Sequence, residues 1–351
     1  DATVTALDGD TPYRFTDGDS DVGQDATLTI DAGVEMRFAS GVGLSVDGGP
    51  SAVLSAEGSS DSPIRMTATE GNEEAGWWRG IAIYSGNANN LLDHVIIRHG
   101  GSEVPGLLAE GGGLALAGGA SVTLTNSTIA QSGTFGLYLD GTGAELDGFS
   151  ENSFSGNADA PVYIPFTRIG AIDGGSTFPD GKTVRVWGAT LSGSDATVTA
   201  LDGDTPYRFT DGNSDIGQDA TLTIDPGVEM HFAAEVGLDV DNFASAVISA
   251  DGTTNNPIRM TATEGNGGQG WWQGVAIYSD NPNNLLNHVI VRHGGSDVPA
   301  LLQEGANVAL AGDTALELTN AEITDSGANG VYCDGSASFT TSGNTYSNNA
   351  D

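Results

Sequence analysis

The chain has 351 residues and carries 11 Lys and Arg against 47 Asp and Glu, a formal charge of −36 with a pI near 4.1. Such a field repels nucleic acid and anionic lipid headgroups, which excludes both as partners. No apolar run approaches the length that spans a bilayer, so no membrane insertion is expected.

Lys182 is the only lysine, while Asp, Asn, Gly, Ser and Thr fill the polar positions. This composition suits a protein of salty surroundings, where carboxylates hold water and salt screens their repulsion. A calcium-loaded marine surface protein would look similar. A disordered acidic chain would not, because 38% of the residues are hydrophobic and fall into regular strand-like words. With 7% aromatic residues and 52 glycines, the core must be built from Val, Ile, Leu and Ala in flat, close layers.

The first words, "DATVTALDGDTPYRFTDGDSDVGQD", are rich in turn residues. Asp17, Asp19 and Asp21 alternate there in a Gly-containing loop, and Asp211, Asn213 and Asp215 repeat the pattern. Oxygen ligands at every second position are what calcium loops use, so calcium is a candidate cofactor. The match to a helix–loop–helix calcium site fails at position twelve, where Leu28 and Leu222 stand in place of a bidentate Glu. A solvated acidic turn is the competing reading.

Then come short alternating words: "TLTI", "VEMRF", "GLSV", "AVLSA", "PIRMT", "GIAIYS", "HVIIRH", "GLALAG", "VTLTNSTI" and "FGLYL". They are strand-length, β-branched and separated by Gly, Asn, Asp or Ser, and no helical stripe persists over three turns. Even spacing without hairpin turns predicts a solenoid in which each turn pairs with the next. A pair of β-sandwiches is the alternative, but the unit here is nearly twice a sandwich domain's usual length.

In the middle lies "GWWRGIAIYSGNANNLLDHVIIRHGG", residues 76–101, which returns at 270–295 as "GWWQGVAIYSDNPNNLLNHVIVRHGG". Adjacent strand residues face opposite ways, so one ring of Trp77–Trp78 and one of Trp271–Trp272 is expected to be exposed. With Tyr84 or Tyr278 beside it, that ring could stack on a sugar. Alternation also predicts that His94 and Arg98, and likewise His288 and Arg292, project outward from one strand, where they could form a polar pair that contacts an anion or a sugar hydroxyl, or only water. A catalytic reading needs paired carboxylates, yet Asp93 becomes Asn287 and Arg79 becomes Gln273. No catalytic residue is therefore assigned. Cys333 is the only cysteine and takes the place of Leu139, which points to a small buried hydrophobe.

The largest organisational fact is a duplication at a shift of 194. Residues 1–194 form a first β-helix copy, ending in a connecting segment at 160–194, and residues 195–351 form a second. The second stops where that segment would begin, as if cut from a longer tandem array or left uncapped.

The words "ATLTIDAGVEMRF", "SPIRMTA", "GWWRGIAI", "LLDHVIIRHGG" and "NSTIAQSGTFGLYL" together resemble secreted right-handed parallel β-helix (pectate-lyase-like) surface proteins of bacteria and archaea. The resemblance implies three parallel sheets, inward side-chain ladders, and Asn126 and Asn152 as candidates for an asparagine ladder at the coil corners. It implies little about activity, because the same coils serve polysaccharide-degrading enzymes, tailspikes and adhesins. The paired-Asp and "GHG" words of the pectin hydrolases are absent. The expected protein is an all-β, extracellular, non-enzymatic module of a cell surface or filament, a stalk or adhesin. The alternative is a carbohydrate-binding β-helix or, if an enzyme, a polysaccharide lyase or glycoside hydrolase. Its expected partners are neighbouring repeats, through stacking or self-association, and extracellular glycans.

Overall fold

The computed structural model describes all residues except 103–107, 109, 180, 264, 297–303 and 351. Contacts divide it into two units, Asp1–Ile164 with Ala171–Val184, and Pro165–Gly170 with Arg185–Asp351.

In the first unit the chain visits three walls in turn. The first wall holds Ala2–Val4, Thr27–Ile30, Val53–Glu57, Leu91–Asp93, Ser121–Thr125 and Glu145–Ser150. The second holds Tyr13–Phe15, Glu35–Phe38, Ile64–Ala68, Val95–Arg98, Thr128–Ala130 and Ser153–Ser155. The third holds Ser20–Val22, Gly43–Val46, Gly80–Ile83, Gly112–Ala117, Phe135–Asp140 and Val162–Pro165. Every described pairing within the unit is parallel and joins one coil to the next. This is a parallel β-helix, and the expectation of an all-β solenoid stands.

Sequence alternation becomes an inside and an outside. Ile64, Met66 and Ala68 point in, while Arg65 is exposed. Register stacks Val4, Ile30, Ala56, Leu92, Leu124 and Phe149 into one inward column of the first wall. Each strand is too short to be stable alone, and burial of such columns against the other two walls holds the coil closed.

The second unit repeats this order of strands 194 residues later, from Ala196–Val198 to Thr345–Ser347. Its first coil is preceded by the turn Phe166–Ala171 and by the strands at 184–187 and 190–191.

Asparagines finish the corners. Asn90 is fully buried; its side-chain oxygen accepts from Leu54 N–H at 2.9 Å and its amide donates to the Ser85 and Ser121 carbonyls at 3.1 Å. Asn152 and Asn157 do the same one coil further on, and Asn284 repeats the role of Asn90 in the second unit. Asn152 is thus a buried corner residue as expected. Asn126 is not: it is exposed, with a left-handed backbone (φ 50°), and its amide donates outward to Asp93. Among the described residues no helix is long and apolar enough to cross a membrane.

Candidate functional site

The repeated cluster resolves first at its tryptophans. Trp78 has no exposed surface; its ring stacks on Phe38 at 4.3 Å and its indole N–H donates to the Arg98 carbonyl at 2.7 Å. Trp272 repeats this against Phe232 at 4.2 Å and Arg292 O at 2.7 Å. Phe15 and Phe209 extend each stack by one more ring. Neither Trp78 nor Trp272 can meet a sugar, which removes both from the carbohydrate-binding set. Their partners Trp77 and Trp271 are half-buried, the more exposed ring of each pair. Removing a sealed indole costs about 3–5 kcal/mol, a scaffold-sized term.

The glycine after the tryptophans is equally structural. Gly80 has φ 95°, and a Cβ there would fall 2.3 Å from the Gly112 carbonyl oxygen; Gly274 is the same against Ala306 O at 2.1 Å. Only glycine lets these coils approach.

The histidines mark corners rather than a strand face. Val95 and Ile97 point inward and Arg98 is exposed, as the alternation predicts. His94, however, has φ 50° and stands outside the strand, with its Nδ1 3.0 Å from Asp93. His288 adopts φ 48°. Crossing the corner resets the side-chain parity, so His94 turns to its neighbour Asp93 instead of pairing with Arg98. Arg292 pairs with Glu322. His99 is buried at φ 63° with Nδ1 2.9 Å from the Thr67 hydroxyl, and burial pushes its pKa down.

Asp93 itself is a corner acceptor, taking hydrogen bonds from Thr125 and Asn126 at 2.8 Å. Burial opposes its ionised form, but the bonds from Asn126, His94 and Thr125 outweigh that and hold its pKa below the usual value. Asn287 takes the equivalent bonds from Thr319 and Asn320 at 2.9 Å. The charge is lost between the units and the geometry is kept.

A different group of residues does converge. The outward column of the third wall runs Asp21, Ser45, Ala82, Ala115, Tyr138 and Tyr163. Small residues in its middle leave a shallow groove of about 310 Å³, lined by Asp19, Asp21, Asp47, Arg79 and Tyr84 among others. Asp19 accepts from Gly43 N–H at 2.9 Å and pairs with Arg79. Asp21 accepts from the Ser45 hydroxyl. Burial, then the charges of Asp140, Asp47 and Asp19, raise the Tyr84 hydroxyl pKa. Further along, Tyr138 and Tyr163 stack with centroids 5.7 Å apart, and Phe135 joins them.

The second unit rewrites these contacts. Asn213 and Gln273 replace Asp19 and Arg79, and a neutral bond of 2.8 Å replaces the ion pair, while Asn213 still accepts from Gly237 N–H at 2.9 Å. Asp239 replaces Ser45 and takes a bond from Asn213 at 3.0 Å. Burial first, then the charge of Asp215, with Asp241 adding to it, push Asp239 up to about 7 against the opposing Asn213 bond. Tyr278 is pushed up to about 12 by burial and by Asp239, Asp241 and Asp215.

The aspartate loops bond to their own neighbours. Asp17 accepts from Thr16 at 3.3 Å, Asp211 from Thr210 at 2.6 Å and Asp215 from Thr190 at 3.1 Å. With Asp19, Asp21 and Asn213 engaged as described, their oxygens serve the protein. Among the described residues no group of three His, Cys, Asp or Glu side chains is placed to hold a metal ion.

Of the expected site residues, the structure brings Asp19, Asp21 and Tyr84 into one groove and leaves Trp77, His94 and Arg98 outside its lining. Asp47 and Arg79 complete that lining and were not expected there. Successive members of the column in the first unit lie 24, 37, 33, 23 and 25 residues apart. The loops between strands hide that column from any fixed period. Cys333 is exposed, not the buried hydrophobe its alignment with Leu139 suggests.

The fold defines an all-β parallel β-helix protein. Comparison with known proteins returns no matching family model, curated protein or solved structure.

Proposed function

We propose that the chain is a non-enzymatic, extracellular β-helix module of a cell surface or filament, a rigid stalk or adhesive unit for salty surroundings. The observation that carries this reading is the fate of the repeated cluster. Its scaffold contacts recur at the same length, 2.7 Å from each indole to its carbonyl, while its charged members change between the units. Arg79 is tied to Asp19 and becomes Gln273, which cannot act as a base. The acidic composition supports a high-salt setting. Incubation with neutral and acidic polysaccharides should give no chain shortening and no unsaturated ends; cleavage that disappears in Arg79→Gln would sink the reading.

One observation favours carbohydrate binding as a second reading. Tyr84 and three carboxylates share the first unit's groove, a lining that offers hydrogen-bond acceptors and an aromatic edge to hydroxyl-rich neutral glycans. The same carboxylates repel acidic polysaccharides.

A further inference from the structure

One corner of the first unit carries a sequence word that neither the scaffold nor the groove uses in full. Asn126, Ser127 and Thr128 form the only Asn-x-Ser/Thr triplet of the chain, the pattern at which an oligosaccharide is joined to an asparagine amide. The equivalent corner of the second unit, Asn320-Ala321-Glu322, keeps the asparagine and lacks the hydroxyl two residues on.

The two asparagines have the same geometry, so the turn itself does not call for the threonine. Asn126 and Asn320 are both exposed, with left-handed backbones at φ 50° and 51°. Each amide donates to the preceding coil, Asn126 to Asp93 at 2.8 Å and Asn320 to Asn287 at 2.9 Å.

The other two residues of the triplet divide between scaffold and surface. Ser127 is 1% exposed; its hydroxyl accepts from Val95 N–H at 3.0 Å and donates to the Thr125 carbonyl at 2.8 Å. Thr128 is half-buried at the start of its strand, and among the described residues its hydroxyl makes no hydrogen bond. Glu322, which stands in its place, pairs with Arg292. The Thr128 hydroxyl therefore has no task in the fold.

Asn126 also has room for a substituent. It stands among exposed or half-exposed left-handed corner residues, with His94 one coil before it and Glu151 one coil after. Its amide carries two hydrogens. One is used by Asp93, and among the described residues the other meets no acceptor. A sugar carbon in place of the second hydrogen leaves the bond to Asp93 intact.

We infer that Asn126 is a glycosylation site that receives an oligosaccharide from a lipid-linked phosphate or diphosphate donor. The amide Nδ2 forms a bond to the anomeric carbon of the first sugar as the bond from that carbon to the donor's phosphate oxygen breaks. The lipid phosphate leaves with the electron pair, and one amide proton passes to a base of the transferase. In the folded chain Thr128 is paired in its sheet with Ile96 and Ser153, so transfer precedes closure of this coil. The inference rests on reading the chain as an extracellular protein, because this modification belongs to secreted chains.

The test is mass spectrometry of the full chain made in its own cells, with the chain recovered separately from the cell exterior and the cell interior. The exterior chain should carry a glycan mass on the Asn126 peptide and none on the Asn320 peptide. Thr128→Ala should abolish the modification and Thr128→Ser should retain it, with thermal melts verifying that both variants fold. A bare Asn126 in chain recovered from the exterior overturns the inference and leaves the extracellular reading standing. A glycan mass that survives Thr128→Ala also overturns it. Chain found only in the interior overturns the extracellular reading and the inference with it.

Discussion

At the scale of single residues, the chemistry that looked most reactive proves to be the most structural. Trp78 and Trp272 are sealed, and His94 and His288 take left-handed corner backbones. The residue with unusual chemistry is Asp239, which the alternation of charges in the first loop gave no reason to single out. Its carboxyl is raised from an ordinary value to about 7 by burial and by Asp215, with Asp241 adding to it. The folded chain therefore holds a proton there that the unfolded chain has lost above about pH 4. Stability from this site is full below that pH and is lost as pH rises to about 7. Asp239→Asn should raise the melting temperature at pH 8, by about 1–2 kcal/mol in stability, and change it little below pH 4. Melts across that range check the sign; equal effects at both ends would show that folding leaves the Asp239 pKa at its unfolded value. His99 and His293 act in the opposite direction. Burial lowers both pKa values, so their contribution is full above the unfolded value and is lost as acid protonates them.

At the scale of elements, strand words were legible because burial has period two in a wall. "PIRMT" and "HVIIR" read directly as inward Ile64, Met66, Val95 and Ile97. Corners were less legible, because parity fails wherever the backbone turns left-handed. That is why His94 was expected beside Arg98 and is found on Asp93, and why Asn126 points out while Asn152 points in. The groove was least legible of all. It is built across coils, from residues that unequal loops separate by varying distances, so no local motif spells it. The exchange of Asp19 with Arg79 for Asn213 with Gln273 was visible only as two separate substitutions. Buried corner asparagines carry a stability prediction. Asn90→Ala leaves one backbone N–H and two carbonyls without their partner, each costing about 1–3 kcal/mol when buried. Chemical denaturation should show a loss of several such units. A loss below about 1 kcal/mol would mean that water replaces the amide.

At the scale of the whole molecule, composition and repetition speak together. A charge of −36 spread over short parallel strands is self-repulsive, and salt within a Debye length of about 10 Å relieves it. Melting temperature should climb as sodium chloride is raised from millimolar to molar. Calcium should add nothing beyond its ionic strength, because its candidate ligands are already bound to Gly43, Arg79, Ser45 and their neighbours; a calcium-specific rise would restore a cation site. The central claim is that the cluster written twice is scaffold. The most direct measurement is hydrogen exchange of the indole N–H groups by NMR, with and without a mixture of neutral glycans. Trp78 and Trp272 should exchange only through large-scale opening and keep their shifts when glycan is added. Rapid exchange of either indole, or a shift on adding glycan, would contradict it.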